Sequence, residues 1–323
     1  MSFPVIFSSV NACTPRDRWT RLPRIIAVLA LTGVLVACSA VKTLYSQAPD
    51  LAYWYLDGYV DFNGAQSLQV KTGLSKVQAW HRQTQLPAYI DILQKLQERI
   101  PSNITAIEAC EVVAEVRGKL LAVSSQMEPT AVAVVTTISA SQLQQMESRF
   151  AKNNAEYRED FIEGTAQDKR SKRLKKAVKR AEMLYGELQE EQLAAIAQSI
   201  DRSRFNPVLA FGEWQRRQQD VLRTVRSVSA SSPASSDSAN QTAPEKIRQA
   251  IRSLIDRSAE SPDPAYRSYA RALTEQSCQN FADFHNKTTP AQRKKAIETL
   301  KGYEQDFRTL SGASARVNVT LRN

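Results

Sequence analysis

Glycine and histidine are scarce in this chain of 323 residues, which contains 10 glycines and 2 histidines. Few glycines, together with many Ala, Leu, Gln, Glu, Lys and Arg residues, favour helices over sheets. The sequence also lacks the G-x-S-x-G, H-E-x-x-H, Walker, dinucleotide-glycine and C-x-x-C motifs. Since His81 and His285 each lie in a context typical of packing, we predict no catalytic residue, no metal and no cofactor. An enzyme site assembled from dispersed Asp57, Asp61 and His81 is the least supported alternative.

No apolar run is long enough to suggest a membrane-spanning helix. The run from Ile25 to Val36 has about a dozen residues, whereas a span needs roughly 20. Four arginines precede the run, and it ends in Leu35-Val36-Ala37-Cys38. A positive flank, a short apolar segment and a cysteine after a small residue predict a lipoprotein signal peptide over residues 1–37, with lipidation at Cys38. The alternatives are an ordinary signal peptide cut near Ala37 or an uncleaved anchor.

The predicted lipid anchor decides which partners are available. Acyl chains on Cys38 would hold the protein on a membrane without a spanning helix. The lipobox resembles that of bacterial lipoproteins, and Ser39 stands where an inner-membrane retention signal would have Asp, which implies the periplasmic face of the Gram-negative outer membrane. Removing residues 1–37, with four Arg and one Asp, lowers the net charge from +10 to +7. The expected partners are anionic lipid, lipopolysaccharide, cell-wall polymer or another envelope protein, and not nucleic acid.

Four cysteines occur in the chain, and only two remain once the lipid site is assigned. Cys13 lies in the predicted signal peptide, which leaves Cys110 and Cys278 beside the lipidated Cys38. Two thiols in an oxidising compartment can form a disulfide. The alternative is two separate buried thiols that pack as small apolar groups.

Aromatic residues are concentrated just after the predicted anchor, where they are candidates for binding a partner: Tyr53, Trp54, Tyr55, Tyr59 and Phe62. Tyr55, Tyr59 and Phe62 follow the i, i+4, i+7 spacing of one helix face, which predicts a core stripe. The alternative, favoured only by the nearby anchor, is a belt at the level of the lipid headgroups or a groove for a partner.

One helix is strongly basic on its outer face. Its apolar positions Leu174, Val178, Ala181 and Tyr185 share the inner face. Two interpretations stand: a solvated face offset by nearby carboxylates, or a contact with an anionic surface. The basic residues are Lys169, Arg170, Lys172, Arg173, Lys175, Lys176, Lys179 and Arg180.

The periodicity predicts an all-α fold, an elongated multi-helix bundle that follows the signal peptide. We predict a helical domain over 38–226, a Ser-rich linker or mobile loop over 227–243, and C-terminal helices over 244–312 that pack on the same bundle. The β-branched segment Val132–Ile138 allows a strand, but no partner strand is evident, so we favour a buried helical turn.

Several blocks of sequence resemble one family of uncharacterised Gram-negative lipoproteins that share a domain of unknown function. The resemblance implies an all-helical envelope lipoprotein with no assigned activity. The blocks are Leu51–Phe62 after the lipobox, Ala79–Arg82, Leu86–Tyr89, Arg149–Asn154 and Phe284–Arg293.

Three segments place a glutamine three residues after a candidate helix cap. Ser139/Gln142 and Thr289/Gln292 have the spacing of capping boxes, and Gln192 follows Gln189 at the same distance. This spacing resembles the LTxxQ motif of small periplasmic chaperones and stress sensors, although Thr288 stands where the motif has Leu. Helix capping alone would give the same pattern.

We therefore expect a lipid-anchored protein of the outer membrane, exposed to the periplasm, that acts as a non-catalytic binding module. The alternative function is a chaperone-like or stress-sensing role by analogy with the LTxxQ proteins.

Overall fold

The computed structural model describes residues 41–230 and 242–312, and these residues are almost entirely helical. In this part of the chain there are twelve α-helices and no strand, which confirms the predicted all-α multi-helix bundle. Residues 41–45, which precede the first of these helices, are also described and are helical. The segment Val132–Ile138 contains no strand, and most of it belongs to a helix.

The first six helices have the following bounds: α1 Ala48–Val60, α2 Gly64–Trp80, α3 Leu86–Arg99, α4 Ala106–Gln126, α5 Glu128–Val135 and α6 Ala140–Tyr157. The other six are α7 Ala166–Tyr185, α8 Glu190–Asp201, α9 Pro207–Ala230, α10 Thr242–Ala259, α11 Pro264–His285 and α12 Pro290–Ser311. Two single π-helical turns, His81–Gln85 and Arg158–Ile162, follow α2 and α6.

The helix starts follow directly from the local sequence. The side chains of Asn63, Thr105, Ser139 and Thr289 each accept a hydrogen bond from the backbone N–H three residues on, and the side chain of that residue accepts one in return from the backbone N–H of the cap. Proline occupies the first turn of α1, α3, α5, α11 and α12, where its missing N–H costs no helical hydrogen bond.

Buried side chains form two large clusters. One unites α3, α7, α8, α11 and α12 around Tyr185, Phe284 and Leu300. The other unites α5, α6, α9 and α10 around Met146 and Leu222, and a smaller cluster joins α1 and α2 to α5. The C-terminal helices therefore contribute to both large clusters.

The segment predicted as a Ser-rich linker or mobile loop, 227–243, begins and ends in helix. Helix α9 continues to Ala230, and α10 begins at Thr242, so both ends of the 227–243 segment are helical. Val228 is buried among the second cluster, which explains why the helix continues past residue 226. The remaining residues, 231–241, lie outside the described part of the chain.

A buried ion-pair network fastens α9 to α10 and to the α10–α11 loop. Glu213 accepts hydrogen bonds from Arg216, Arg217 and Ser261, and Asp220 pairs with Arg257. Burial by itself would raise the pKa of Glu213, but the three donors outweigh burial and lower that pKa to about 2. The carboxylate is therefore ionised wherever the protein is folded near neutral pH.

Among the described residues no helix combines the length and the apolar character that crossing a membrane requires. Within the same residues, His, Cys, Asp and Glu side chains form no group of three that could hold a metal ion.

Candidate functional site

Helix α7 carries the densest positive charge among the described helices. Thr165 caps it by accepting a hydrogen bond from the backbone N–H of Asp168 at 3.1 Å. Leu174, Val178 and Ala181 pack against the first core cluster, and Tyr185 is fully buried there. Since the apolar residues occupy one face, the lysines and arginines lie on the other.

Two carboxylates and one backbone carbonyl bind the basic side chains at the beginning of α7. Arg170 donates two hydrogen bonds to the carboxylate of Asp201, at 2.5 and 2.8 Å, and this pairing raises the pKa of Arg170 and lowers that of Asp201. Lys172 forms an exposed ion pair with Asp160, with its Nζ 3.3 Å from Oδ1. Lys169 is committed to the backbone and donates to the carbonyl of Ile162 at 2.8 Å.

Two phenylalanines underlie the next turn of the helix. The guanidinium of Arg173 lies 5.3 Å from the ring centroid of Phe205, and the ammonium of Lys176 lies 5.3 Å from that of Phe161. These side chains line a cleft of about 300 Å³ between α7, the π-helical turn and the end of α8. Burial in this cleft lowers the pKa of Arg173.

Four lysines form a continuous exposed row that we call the lysine stripe. Lys172, Lys175, Lys176 and Lys179 occupy positions i, i+3, i+4 and i+7 on one side of α7. Among the described residues, no carboxylate lies within ion-pair distance of Lys175, Lys179 or the neighbouring Arg180. Within the described part of the chain, ion pairs therefore neutralise this cationic surface only at its first member, Lys172.

The aromatic block on α1 differs from the predicted core stripe. Tyr53 is the buried ring, and its hydroxyl lies 2.9 Å from that of Ser67. Tyr55, predicted to be core, is 62% exposed, and Trp54 is 67% exposed. The buried face of α1 differs from the predicted one because Tyr53 packs between α2 and α5, which leaves Tyr55 on the exposed side.

Tyr59 of α1 and Phe62, two residues after the helix ends, are half-buried. Tyr59 accepts a hydrogen bond from Asn153 at 2.6 Å and packs on Phe150 at 5.7 Å between ring centroids. Phe62 packs against Tyr53. The exposed apolar residues of α1 are then Leu51, Trp54 and Tyr55, which lie on one side at i, i+3 and i+4.

Asp57 and Asp61 lie together at the end of α1, but no described group of three His, Cys, Asp or Glu side chains includes them or the two histidines. Asp57 accepts a hydrogen bond from the backbone N–H of Phe62 at the end of α1, and Asp61 adopts the left-handed conformation there. His81 contacts Trp80 and Tyr89, and burial lowers its pKa. His285 is fully buried in the first core cluster.

Cys110 of α4 and Cys278 of α11 are joined by a disulfide, with their Cα atoms 5.4 Å apart. The bridge closes a loop with a sequence separation of 168 residues. In the chain-entropy model a loop of this length gives a stabilisation of about 5 kcal/mol.

Reciprocal glutamine pairs, which sequence reasoning did not foresee, join distant helix starts. Gln192 and Gln292 exchange side-chain hydrogen bonds at 2.7 and 2.8 Å, and each also donates to a carbonyl just before the other's helix, those of Lys287 and Glu187. Gln66 and Gln142 make the same arrangement at α2 and α6. The shared signal was glutamine at the third helical position in all four helices.

The lipobox residues Leu35, Val36 and Ala37 and the predicted lipid site Cys38 lie outside the described residues.

Comparison with protein families gives a match over residues 58–232, to a family described as a family of unknown function, DUF6279. The match extends from the end of α1 through α9, so the block Phe284–Arg293 lies beyond it. No curated protein and no solved structure matches the chain.

Proposed function

The chain belongs to the DUF6279 family of unknown function, and from that premise we propose that it is a lipid-anchored protein of the bacterial envelope that binds a polyanionic partner through α7. It acts as a non-catalytic interaction module at the periplasmic face of the outer membrane. The lysine stripe carries this proposal, because an exposed row of four lysines, of which Lys172 alone has an internal carboxylate partner among the described residues, is suited to an anionic surface.

Two further features support the envelope location. The lipobox at Leu35–Cys38 predicts an acylated amino terminus. The disulfide between Cys110 and Cys278 is typical of proteins that fold in an oxidising compartment.

The exposed face of α1 is suited to a position close to the bilayer. Leu51, Trp54 and Tyr55 follow the predicted lipid site by fewer than 20 residues. Tryptophan and tyrosine favour the headgroup level, because each side chain combines an apolar ring with a polar group that can form hydrogen bonds with water.

A vesicle assay tests the role of the lysine stripe. We expect the full-length protein to bind vesicles that contain anionic lipid more tightly than zwitterionic vesicles, and to lose this preference as salt rises. Neutralising two unpaired members in Lys175→Gln/Lys179→Gln removes about 1 kcal/mol per charge, and so weakens binding to anionic vesicles roughly 30-fold.

The matched control is Lys294→Gln/Lys301→Gln, which removes two exposed lysines from α12 and changes the net charge equally. It is expected to bind as the parent protein does. Equal losses in both variants would mean that net charge, rather than the lysine stripe, drives binding.

The chaperone-like alternative rests on the LTxxQ spacing, and the structure explains that spacing differently. Gln192 and Gln292 are both buried and are fully engaged with each other and with backbone carbonyls. Neither amide is exposed to a client protein. The spacing therefore supports helix capping and adds no support for a chaperone role.

A further inference from the structure

A second, strongly apolar cleft lies away from the lysine stripe, between α3, α4 and α11. Its volume is about 620 Å³, within the range of about 300–1,000 Å³ that is typical of sites for small molecules. Leu184 of α7 and Leu300 of α12 also line it. The walls are mainly aliphatic or aromatic and include Leu96, Ile100, Ile104, Val112, Val113 and Phe281.

The cleft exists because α4 packs closely on α11 but only loosely against α3. Of the residues in this helix only Ala109 is buried. The apolar face that begins at Ala109 continues through Val113 and Leu120, which are 47% and 59% exposed. A helix with an apolar face this poorly covered leaves hydrophobic surface available for a ligand.

Helix α4 is fixed differently on its two sides. The disulfide between Cys110 and Cys278 joins it covalently to α11. Towards α3 it is held by two ion pairs, Lys95 with Glu115 at 3.7 Å and Arg99 with Glu111 at 3.3 Å, and all four side chains are substantially exposed. Exposed pairs of this kind contribute little to stability, so the α3 side can separate while the disulfide holds the α11 side.

The interior of the cleft offers no unsatisfied polar group to a ligand. His285, which reaches the wall, is engaged by Tyr185 and by the carbonyl of Ser102. The buried part of a ligand must therefore be hydrocarbon. At the rim, Arg99, which pairs with Glu111, provides a cation, and Glu108 provides a carboxylate. A rim with both charges matches a zwitterionic head group better than a simple anion.

We propose that this cleft binds a single acyl chain that carries a zwitterionic head group, as in a lysophospholipid. The chain occupies the apolar space between α3, α4 and α11. The phosphate contacts Arg99, and the ammonium contacts Glu108. This site is distinct in position and chemistry from the lysine stripe.

Photolabelling of the full-length protein tests the site directly. The probe is a lysophosphatidylethanolamine with a diazirine in its acyl chain, and the labelled peptides are identified by mass spectrometry. We expect label on α3, α4 and α11. Label concentrated instead on the exposed face of α1 around Trp54 would overturn the assignment.

Two matched substitutions on α4 distinguish the cleft from general apolar attraction. Val113→Glu places a charge in the cleft, whereas Leu120→Glu makes the same change on the same face, at a residue that does not line it. Labelling is expected to fall at least tenfold in the first variant and to stay unchanged in the second. If Val113→Glu unfolds, Val113→Trp fills the cleft without adding charge and gives the same expected loss. Equal labelling of the Val113 and Leu120 variants would exclude the cleft.

Competition by unlabelled ligands tests the chain and the head group. Affinity should rise about fourfold for each methylene that enters the cleft, and should level off when the cleft is full. Arg99→Gln should weaken the lysophospholipid, whereas Lys95→Gln, which breaks the other ion pair between α3 and α4, should not. A free fatty acid of equal length that competes better than the lysophospholipid would overturn the head-group assignment.

Discussion

His285 is a candidate for acid–base chemistry by residue type, but both of its ring nitrogens are engaged in hydrogen bonds within the fold. Its Nε2 lies 2.9 Å from the carbonyl oxygen of Ser102 and must carry the hydrogen, so Nδ1 accepts from the hydroxyl of Tyr185 at 2.8 Å. Burial, aided by Arg293, lowers the pKa of His285 despite the favourable hydrogen bond to Ser102. The imidazole is therefore neutral, and it fastens the loop after α3 to the end of α11.

This burial predicts a stability that depends on pH. Since the folded pKa of His285 lies below the unfolded value of about 6.5, the unfolded chain binds more protons as the pH falls below that value. We expect the free energy of unfolding to decrease below pH 6.5, with a contribution from His285 of at most about 1.4 kcal/mol per pH unit. Urea unfolding between pH 7.5 and 5.5 measures this slope.

The variant His285→Phe should be less stable at pH 7.5, because it leaves the hydroxyl of Tyr185 and the carbonyl of Ser102 without their hydrogen-bond partner. Its stability should depend less on pH. The pKa of His81 is also lowered by burial, so His81→Asn is the control for the other histidine. An unchanged slope in His285→Phe would show that other groups cause the pH dependence.

At the scale of helices, the glutamine pairs join starts that are distant in the sequence. Gln192 and Gln292 are 100 residues apart, and Gln66 and Gln142 are 76 apart. Each amide uses its oxygen for the cap of its own helix and its nitrogen for the opposite segment. One residue therefore fixes both where a helix begins and which other helix start lies beside it.

A double-mutant cycle on the Gln192–Gln292 pair tests this role. Either single change to Leu leaves a buried amide and a carbonyl unsatisfied, which should cost about 2 kcal/mol of unfolding free energy. The double variant should cost at least about 1 kcal/mol less than the sum of the two, because the two amides interact directly. The measurement is chemical denaturation of all four proteins.

The exposed Gln198 of α8 provides the comparison. Gln198→Leu should change stability by no more than about 0.5 kcal/mol. Additive losses at Gln192 and Gln292 would mean that the two capping boxes act independently.

The sequence was sufficient to predict structure where the information is local. Caps at Ser139 and Thr289 and the inner face of α7 follow from spacing within a single helix, and all are present. The exposure of Tyr55 could not be predicted in this way, because it depends on how α2 and α5 receive Tyr53. Likewise, no local pattern places Phe161 and Phe205 beneath the basic residues of α7.

A close approach between helices shows the same limit. Gly73 of α2 lies against Thr130 of α5, and a Cβ at residue 73 would overlap that threonine. The sequence alone showed only a glycine within a helical pattern, which costs about 1 kcal/mol relative to alanine. The compensating contact involves a helix that begins more than 40 residues later, and it is visible only in the folded protein.

At the scale of the whole molecule, the proposed location links two covalent features. The disulfide joins α4 to α11 across a sequence separation of 168 residues. The predicted lipid on Cys38 precedes the described helices. Both modifications require export: one needs an oxidising compartment and the other needs the enzymes that process lipoproteins. If the location is correct, both should occur in the same molecules.

Mass analysis of the protein from its native membrane tests this expectation. The mature chain should begin at residue 38, carry the mass of acyl chains on Cys38, and contain no free thiol until it is reduced. Cys38→Ser should block lipidation and leave residues 1–37 attached, whereas Cys13→Ser, a change at the cysteine inside the leader, should leave processing unchanged. A native product that retains residues 1–37 without added lipid would refute the anchor. The disulfide would then need another explanation, and the lysine stripe would have to be considered again with partners outside the envelope.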